Sequence, residues 1–543
     1  MKLSMRRTCF QILILMLVSF NATAGIKNYI MSSYKRTYIE AERLLNNENY
    51  DDALPLFLLL DSLDKDNANL KFKVGFCYLN ASSGKIKSIP YFLEASKNIS
   101  ENYKKNDLKE KHAPQYTFKY LAKAYQLNYE FDKAIGMYLK YKETLGTSRK
   151  LTVEVEGVLH GIETCTNGIE LLKAPKNYKV TNLGEGVNSK YADYSPVISN
   201  GGNTLMFTSR RPIGKGDVKN NKGLYDEDIY VSELGKDDKW KNIKLIDGEI
   251  NTTGNDRIIN TSYDGSLIIS KDDGNDENLY LSSSVNGSWK APQFWGSSVN
   301  SVADEPSVSI TADGRILYFV SNREGGFGGS DIYKCIKLPN GKWGMAQNLG
   351  ATINTKYDED AVFVHPNGRE IFFSSQGNKS MGGFDVFSSI IDPQNGFLSS
   401  PLSVGYPINT TSDDLFFKMD ANGKTAYLAS DRVNGLGSMD IYQVSYPEEN
   451  EKRDITLIVG RIINNSKEDL SDNLILVIDK NTHEIILEVE ANNATGKFGI
   501  DLPIGSTYDI QYFIKGKEIY KETLEVKSGN GYQVILREIP YGN

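Results

Sequence analysis

The sequence predicts a multidomain α + β protein: an array of paired helices, then a five-bladed β-propeller, then a small β-sandwich. Three observations predict it. Apolar residues recur at helical spacing over residues 25–172, a short-strand pattern recurs five times over residues 178–446, and alternating apolar runs fill residues 453–543. The chain has 543 residues, far more than a single domain needs. With 40% hydrophobic and 24% charged residues it is ordinary globular material, which excludes a wholly disordered or collagen-like chain. There are 69 acidic residues against 62 basic ones, a formal charge of −7. That balance argues against a nucleic-acid binder, because neutralising phosphates needs a basic face. Four cysteines exclude a disulfide scaffold, and four histidines leave little imidazole chemistry.

Residues 1–24 read as a secretory signal. Lys2, Arg6 and Arg7 precede the apolar run Cys9–Phe20, and Ala22-Thr23-Ala24 supplies a small-x-small cleavage pattern. The run is shorter than the ~20 residues of a membrane span. The expected mature start is Gly25. Cys77, Cys165 and Cys335 then remain, an odd number, and are read as buried free thiols.

Residues 25–172 carry repeated helix pairs. Tyr50-Asp51-Asp52-Ala53 leads into the apolar Leu54–Leu60, and Phe131-Asp132-Lys133-Ala134 leads into Ile135, Tyr138 and Tyr141. Ile89, Phe92 and Ala95 keep the same step between them. The charge run Lys104–Lys111 is read as a solvated loop. Val153–Leu172 is the expected capping helix, with Val155, Val158, Leu159, Ile162, Cys165, Ile169 and Leu172 on one stripe. This part resembles tetratricopeptide repeats, about three units of them. The resemblance implies a concave face that binds a protein or peptide.

Residues 178–446 carry a cassette of glycine, then asparagine, then serine or threonine. Its five copies end in Asn188-Ser189, Asn251-Thr252, Asn300-Ser301, Asn354-Thr355 and Asn409-Thr410. After each come a short strand, a turn glycine, and a second strand. The glycines Gly202, Gly265, Gly314, Gly368 and Gly423 each follow an Asn, Asp or Gly, a strong hairpin signal. Third strands begin at Asp228, Asn278, Asp331, Asp385 and Asp440, and Trp240, Trp289, Trp343 and Phe397 mark expected fourth strands. Four short strands in about 50 residues, repeated in tandem, is propeller arithmetic. Lys179–Leu183 is expected to supply an outer strand to the last blade. Ser209-Arg210, Ser321-Asn322-Arg323 and Ser430-Asp431-Arg432, each followed by Asp-Ile-Tyr, resemble the PD40 (WD40-like) repeats of TolB-type periplasmic propellers.

Acidic residues follow every cassette. Asp193, Asp256, Asp304, Asp358 and Asp413 are the candidate channel-mouth acids. Read structurally, they cap backbone donors where each blade leaves the hub. Read functionally, they form a ring of carboxylates for a cation or basic peptide. Arg323 is expected to pair with Asp331, and Arg432 with Asp440. Asp272–Asp276 hints at calcium, but its spacing misses the EF-hand loop, so no metal is assigned.

Residues 447–453 read as a polar linker. The strands beyond it, with Val459-Gly460-Arg461 and Leu502-Pro503-Ile504-Gly505, resemble the carboxypeptidase regulatory-like sandwich, a module without catalysis. The chain has no Gly-x-Ser-x-Gly elbow, no zincin histidine pair and no complete phosphate loop. No catalytic residue, cofactor or metal ligand is expected. Signal, helical repeats, propeller and sandwich in this order resemble the PorE-like, OmpA-family proteins of Bacteroidota. The join Asn182-Leu183-Gly184, Val187-Asn188-Ser189 and Tyr194-Ser195-Pro196 carries that resemblance most closely. It implies a non-enzymatic periplasmic scaffold, tied to type IX secretion or gliding, whose partners are outer-membrane or periplasmic proteins. A terminal OmpA-like domain, common in that family, has no counterpart before Asn543, so no direct peptidoglycan binding is expected. Nor is membrane insertion. The alternative is a propeller that binds a small ligand or glycan, as a sensor or carbohydrate-active protein.

Overall fold

The computed structural model describes residues 24–542 apart from 147–151, 200–201, 215–216, 263–264, 273–276, 286–287, 298, 367, 392–395, 397, 420–423, 447–454, 465–469, 471, 492–495, 503–504 and 528–531. The signal segment, most of Asp272–Asp276, Phe397 and the linker therefore lie outside the described residues. The chain mixes helices and strands, most of the strands in small antiparallel sheets. It divides into two compact units.

The first unit is built on helices Ala24–Asn46, Tyr50–Leu63, Ala68–Asn80 and Ser88–Ala95. Asn49 starts the second helix, its side-chain oxygen accepting the Asp52 amide at 3.3 Å. Tyr38, Ala41, Phe57, Leu60, Leu70, Val74 and Cys77 form the core. Gly75 sits against the Phe92 ring, where a Cβ would approach to 2.9 Å, so glycine sets this helix spacing. Lys73 and Glu42 pair inside the core, with the lysine 5.4 Å from the Tyr38 ring centre.

The second unit contains helices Phe131–Leu145 and Thr152–Lys173, most of Thr117–Leu127, and all strands from residue 179 onward. Of the expected stripe on Thr152–Lys173, Val158 and Cys165 are buried, Val155, Ile162, Ile169 and Leu172 are half-buried, and Leu159 is exposed. The helix also buries Gly161, Thr164 and Gly168. The reason for the glycines is steric: Tyr138 and Phe131 project from the preceding helix, and a Cβ at Gly161 or Gly168 would come within 2.5 Å of those rings.

Residues 179–445 form five four-stranded antiparallel sheets. Their first strands are Asp193–Ile198, Asp256–Thr261, Val308–Ile310, Glu359–Val364 and Asp414–Met419. The first, third and fourth sheets take four consecutive strands each, and in the second a separate two-stranded ladder lies between the third strand and the fourth. The fifth takes three, and Lys179–Asn182 is its outer strand, antiparallel to Asp440–Ser445. The first and last segments of the region thus share one sheet. The fourth strands depart from the tryptophan markers. Trp240 does begin one, Trp240–Leu245, but the next two are Gln293–Phe294 and Gln347–Asn348. Trp289 lies in a separate ladder with Ser284–Val285, and Trp343 makes a single bridge to Lys337. In these sheets the tryptophan closes the hairpin, and the outer strand follows it.

The cassette asparagines join the sheets. The Asn251 side chain accepts the Ile229 amide at 2.8 Å and donates to the Ile229 carbonyl at 3.0 Å. Asn300 does the same to Leu279, Asn354 to Ile332 and Asn409 to Val386, all between 2.8 and 3.0 Å. Each thus pairs with the third strand of the preceding sheet, as one more strand residue would. Asn188 makes the same pair with Ile441, at 2.8 and 2.9 Å, and so links the first sheet back to the fifth. Close backbone approach repeats beside these clamps. A Cβ on Gly328, Gly382 or Gly437 would lie 2.0, 2.4 or 1.9 Å from a carbonyl of the following cassette.

Residues 455–541 form two facing sheets. Ile455–Asn464 runs between Lys497–Leu502 and Tyr532–Tyr541, parallel to the latter. The other sheet holds Asn473–Asp479, Ile485–Val489, Thr507–Ile514 and Lys517–Glu525. Ile458, Phe498, Ile475, Tyr512 and Ile539 meet in a shared core.

Replacing Asn188 by alanine leaves the buried Ile441 N–H without a partner, while the Ile441 C=O keeps the Leu183 amide at 3.2 Å. We expect Asn188→Ala to lower the unfolding free energy by about 2 kcal/mol in urea denaturation. Asn203→Ala, at an exposed turn, should change it by less than about 0.5 kcal/mol.

Candidate functional site: the inner ends of the five sheets

The carboxylates at the start of the inner strands fall into two registers. Asp193 and Asp256 lie in the inner one, fully buried. Asp193 accepts the Ser189 amide at 2.6 Å and its hydroxyl at 2.7 Å, and Arg211 reaches it at 2.5 Å. Asp256 accepts the Thr252 amide and hydroxyl, at 2.5 and 2.9 Å, and pairs with Lys271 at 2.9 Å. The matching residues of the other sheets are Glu305, Glu359 and Asp414, all fully buried. They accept from Ser301, Thr355 and Thr410 in the same way. So the cassette hydroxyl residue clamps its own sheet while the asparagine before it clamps the preceding one.

Asp304, Asp358 and Asp413 stand one residue earlier and do something else. Asp358 accepts the Ser330 amide and Asp413 the Phe384 amide, both at 2.9 Å. Asp304 exchanges bonds with the Asn322 side chain and is exposed. The five candidate acids therefore do not form a single ring. Strings such as Asp304-Glu305 and Asp358-Glu359-Asp360 hid the register, because position rather than residue type decides which carboxylate turns inward.

The arginines also pair differently from expectation. Arg323 binds Glu305, and Arg432 binds Asp414, each at 2.9 Å. Asp331 and Asp440 instead cap their own turns: Asp331 accepts the Phe327 and Gly328 amides, and Asp440 the Leu436 and Gly437 amides. Those amides are nearer and rigid, which leaves each arginine free for the buried acid. Arg323 also donates to the Val299 carbonyl at 3.0 Å and lies over the rings of Phe319 and Tyr333.

The fourth sheet breaks this pattern. Gly377 takes the arginine's place, and Asn378 Nδ2 bonds the Ile353 carbonyl at 3.2 Å instead. Glu359 accepts from Ser375 but has no salt-bridge partner among the described residues. Burial therefore pushes its carboxyl up to about 7, against the bonds from Thr355 and Ser375. This is also where helical residues dock within the unit. Gln126 donates to the Met381 carbonyl at 3.1 Å, Asn167 to the Ser380 carbonyl at 2.9 Å, and Thr411 to the Leu127 carbonyl at 3.2 Å.

Further inward lies a charged cluster that sequence reading missed. Arg257 Nη2 donates to Glu277 at 2.8 Å and its Nε to Glu227 at 3.3 Å. Arg210 and the Tyr194 hydroxyl also bind Glu227. Burial pushes Glu227 up, but Arg257, Arg210 and Tyr194 together hold it below the ordinary carboxylate value. Burial raises the neighbouring Asp360 to about 6. On the same inner strands, Lys418 of the fifth sheet donates to the Ile259 carbonyl of the second. Burial lowers its ammonium to about 7. Among the described residues no group of three or more His, Cys, Asp or Glu is arranged to hold a metal ion. Cys77, Cys165 and Cys335 are buried, and none of them forms a disulfide among the described residues.

No family model and no curated protein matches the chain. Among solved structures it is similar to TolB from Acinetobacter baumannii, at 12% identity and a TM-score of 0.31, over 53% of this chain and 70% of that one. It is similar to β-1,2-mannobiose phosphorylase from Listeria innocua at 9% identity and a TM-score of 0.34, over 49% and 96%. A Dyadobacter fermentans protein of unknown function matches at 14% identity and a TM-score of 0.29, over 46% and 76%. Likenesses this distant carry no weight for function.

The two kinds of acid respond differently to charge removal. Glu305→Gln strands Arg323 and should cost about 3 kcal/mol. Glu359→Gln keeps an oxygen for the Thr355 amide and loses no salt bridge. A carboxyl raised in the folded state stabilises below its unfolded pKa of ~4.3, and that stability is lost as pH rises through about 7. We expect Glu359→Gln to match the parent near pH 4 and to exceed it at pH 8. Urea melts at both pH values measure this.

Proposed function

We propose that the chain is a non-enzymatic periplasmic scaffold of an outer-membrane machine, in type IX secretion or gliding. In this reading the five sheets are blades of a closed PD40-type propeller. The helices are a tetratricopeptide-like array with a capping helix, and residues 453–543 are a carboxypeptidase regulatory-like sandwich. The chain is then a PorE-like, OmpA-family relative. The observation that carries the reading is the use of the repeated acids. Asp193, Asp256, Glu305, Glu359 and Asp414 are all bound to cassette residues of their own sheet. Such a ring is a frame and leaves recognition to outward surfaces. Several weak surfaces on one chain bind by avidity. No helix among the described residues is long and apolar enough to cross a membrane, so attachment to an envelope would run through protein contacts.

A second reading, a propeller that takes a small ligand or glycan at its channel, is favoured by one observation. Arg210, Arg257, Glu227, Glu277 and Asp360 converge near the inner strands, where a polar ligand could exchange with their ion pairs.

In-cell crosslinking of the complete chain separates the two. The scaffold reading expects outer-membrane proteins crosslinked to residues 25–172 and 453–543, and an Arg257→Met variant with the same partners. Loss of every partner, with a glycan held or turned over in an Arg257-dependent way, would establish the second reading instead.

A further inference from the structure

A cleft of about 390 Å³ lies between helix Thr152–Lys173 and two loops of the fourth sheet. The helix contributes His160, Glu163 and Asn167, which share one face. The loops contribute Thr355–Tyr357 and Gly377–Ser380. His160 and Tyr357 stack with ring centres 4.0 Å apart and planes at 24°. Lys356 Nζ stands 5.1 Å from the Tyr357 ring centre. At one wall Asn378 and Lys379 are consecutive non-glycine residues with φ of 51° and 68°. Left-handed backbone of this kind is costly and tends to persist at binding sites. His160 Nδ1 is buried and has no hydrogen-bond partner, with Glu163 Oε2 no nearer than 4.0 Å.

We propose that this cleft binds a carboxylate, borne by an acidic side chain of a peptide or by a small dicarboxylate, between Lys356 and Lys379 and against His160. Two lysines and one glutamate line it, in a chain that is acidic overall. Once protonated, the imidazole adds a third positive charge beside the two lysines. Glu163 lines the same cleft, so a carboxylate group, which brings one negative charge into it, is favoured over a phosphate group, which brings up to two; the second carboxylate of a dicarboxylate stays outside. The site does not depend on the scaffold reading. It also has a pH signature. Burial holds the imidazole below its ordinary range, and a bound anion would favour its protonated form. The groups facing it are Glu163 on its own helix and Lys356, Tyr357 and Lys379 on the loops. Proton uptake by the imidazole adds positive charge beside the bound carboxylate, so affinity should rise as pH falls.

Calorimetric titration of the complete chain with glutarate, with N-acetyl-Glu-Glu-amide and with inorganic phosphate tests this. We expect glutarate or the peptide to bind at least tenfold more tightly than phosphate, and more tightly at pH 6 than at pH 8. The double variant Lys356→Ala/Lys379→Ala should lose at least tenfold, with an unchanged circular dichroism spectrum because both lysines are exposed. Binding of the peptide alone would assign the carboxylate to a partner protein, and binding of both would admit a free dicarboxylate. No binding of either, phosphate as tight as glutarate, or a double variant that binds like the parent would overturn the proposal.

Discussion

One side-chain amide, used five times, holds the sheet region together. An asparagine carboxamide has the same donor and acceptor as a peptide group, so it can pair with a backbone N–H and C=O at once. Here it does so toward the third strand of the neighbouring sheet, at Ile229, Leu279, Ile332, Val386 and Ile441. A four-stranded sheet of this size buries too little to stand alone. The clamp gives each sheet a fixed neighbour, and Asn188 gives the first sheet the last as its neighbour. The glycine at the head of the cassette and the hydroxyl residue at its end serve the same geometry.

The buried carboxylates follow from the clamp. Each cassette turn exposes a backbone N–H and a hydroxyl toward the start of the inner strand, and a carboxylate there satisfies both. An ion so deeply buried needs a counter-ion, and Arg211, Lys271, Arg323 and Arg432 supply it. The fourth sheet dispenses with one because its outer loop meets the helices. Gly377 lies tight against Thr355, where a Cβ would approach to 2.5 Å, and Asn378 takes over the carbonyl bond. Departure from the repeat thus marks a contact, and the proposed carboxylate cleft adjoins it.

Much of this was legible in the residues. The Asn-Ser/Thr cassettes, the turn glycines and the Asp-Ile-Tyr strands are local signals, and local signals survive without a structure. The register of the acids was not, because Asp304 and Glu305 are adjacent and differ only in which of them turns inward ahead of the strand. The arginine partners were missed because Asp331 is nearer in sequence than Glu305 but already holds two amides. Lys517–Glu525, with five charged residues in nine, gives a weak strand signal. It is an edge strand, where Lys and Glu suit solvent and discourage further pairing. Its turn, Lys515-Gly516, has two positive φ values, which suit a tight hairpin. The Arg257 cluster was invisible because its members come from separate repeats.

The central claim is that Asn188 closes the set of sheets as firmly as the other four asparagines join it. Native-state hydrogen exchange of the amides of Ile229, Leu279, Ile332, Val386 and Ile441 measures this one joint at a time. The account predicts that all five exchange only through global unfolding, with Ile441 as slow as the rest. An Ile441 amide that exchanges much faster than the other four would contradict it, because the first and last sheets would then part without the others.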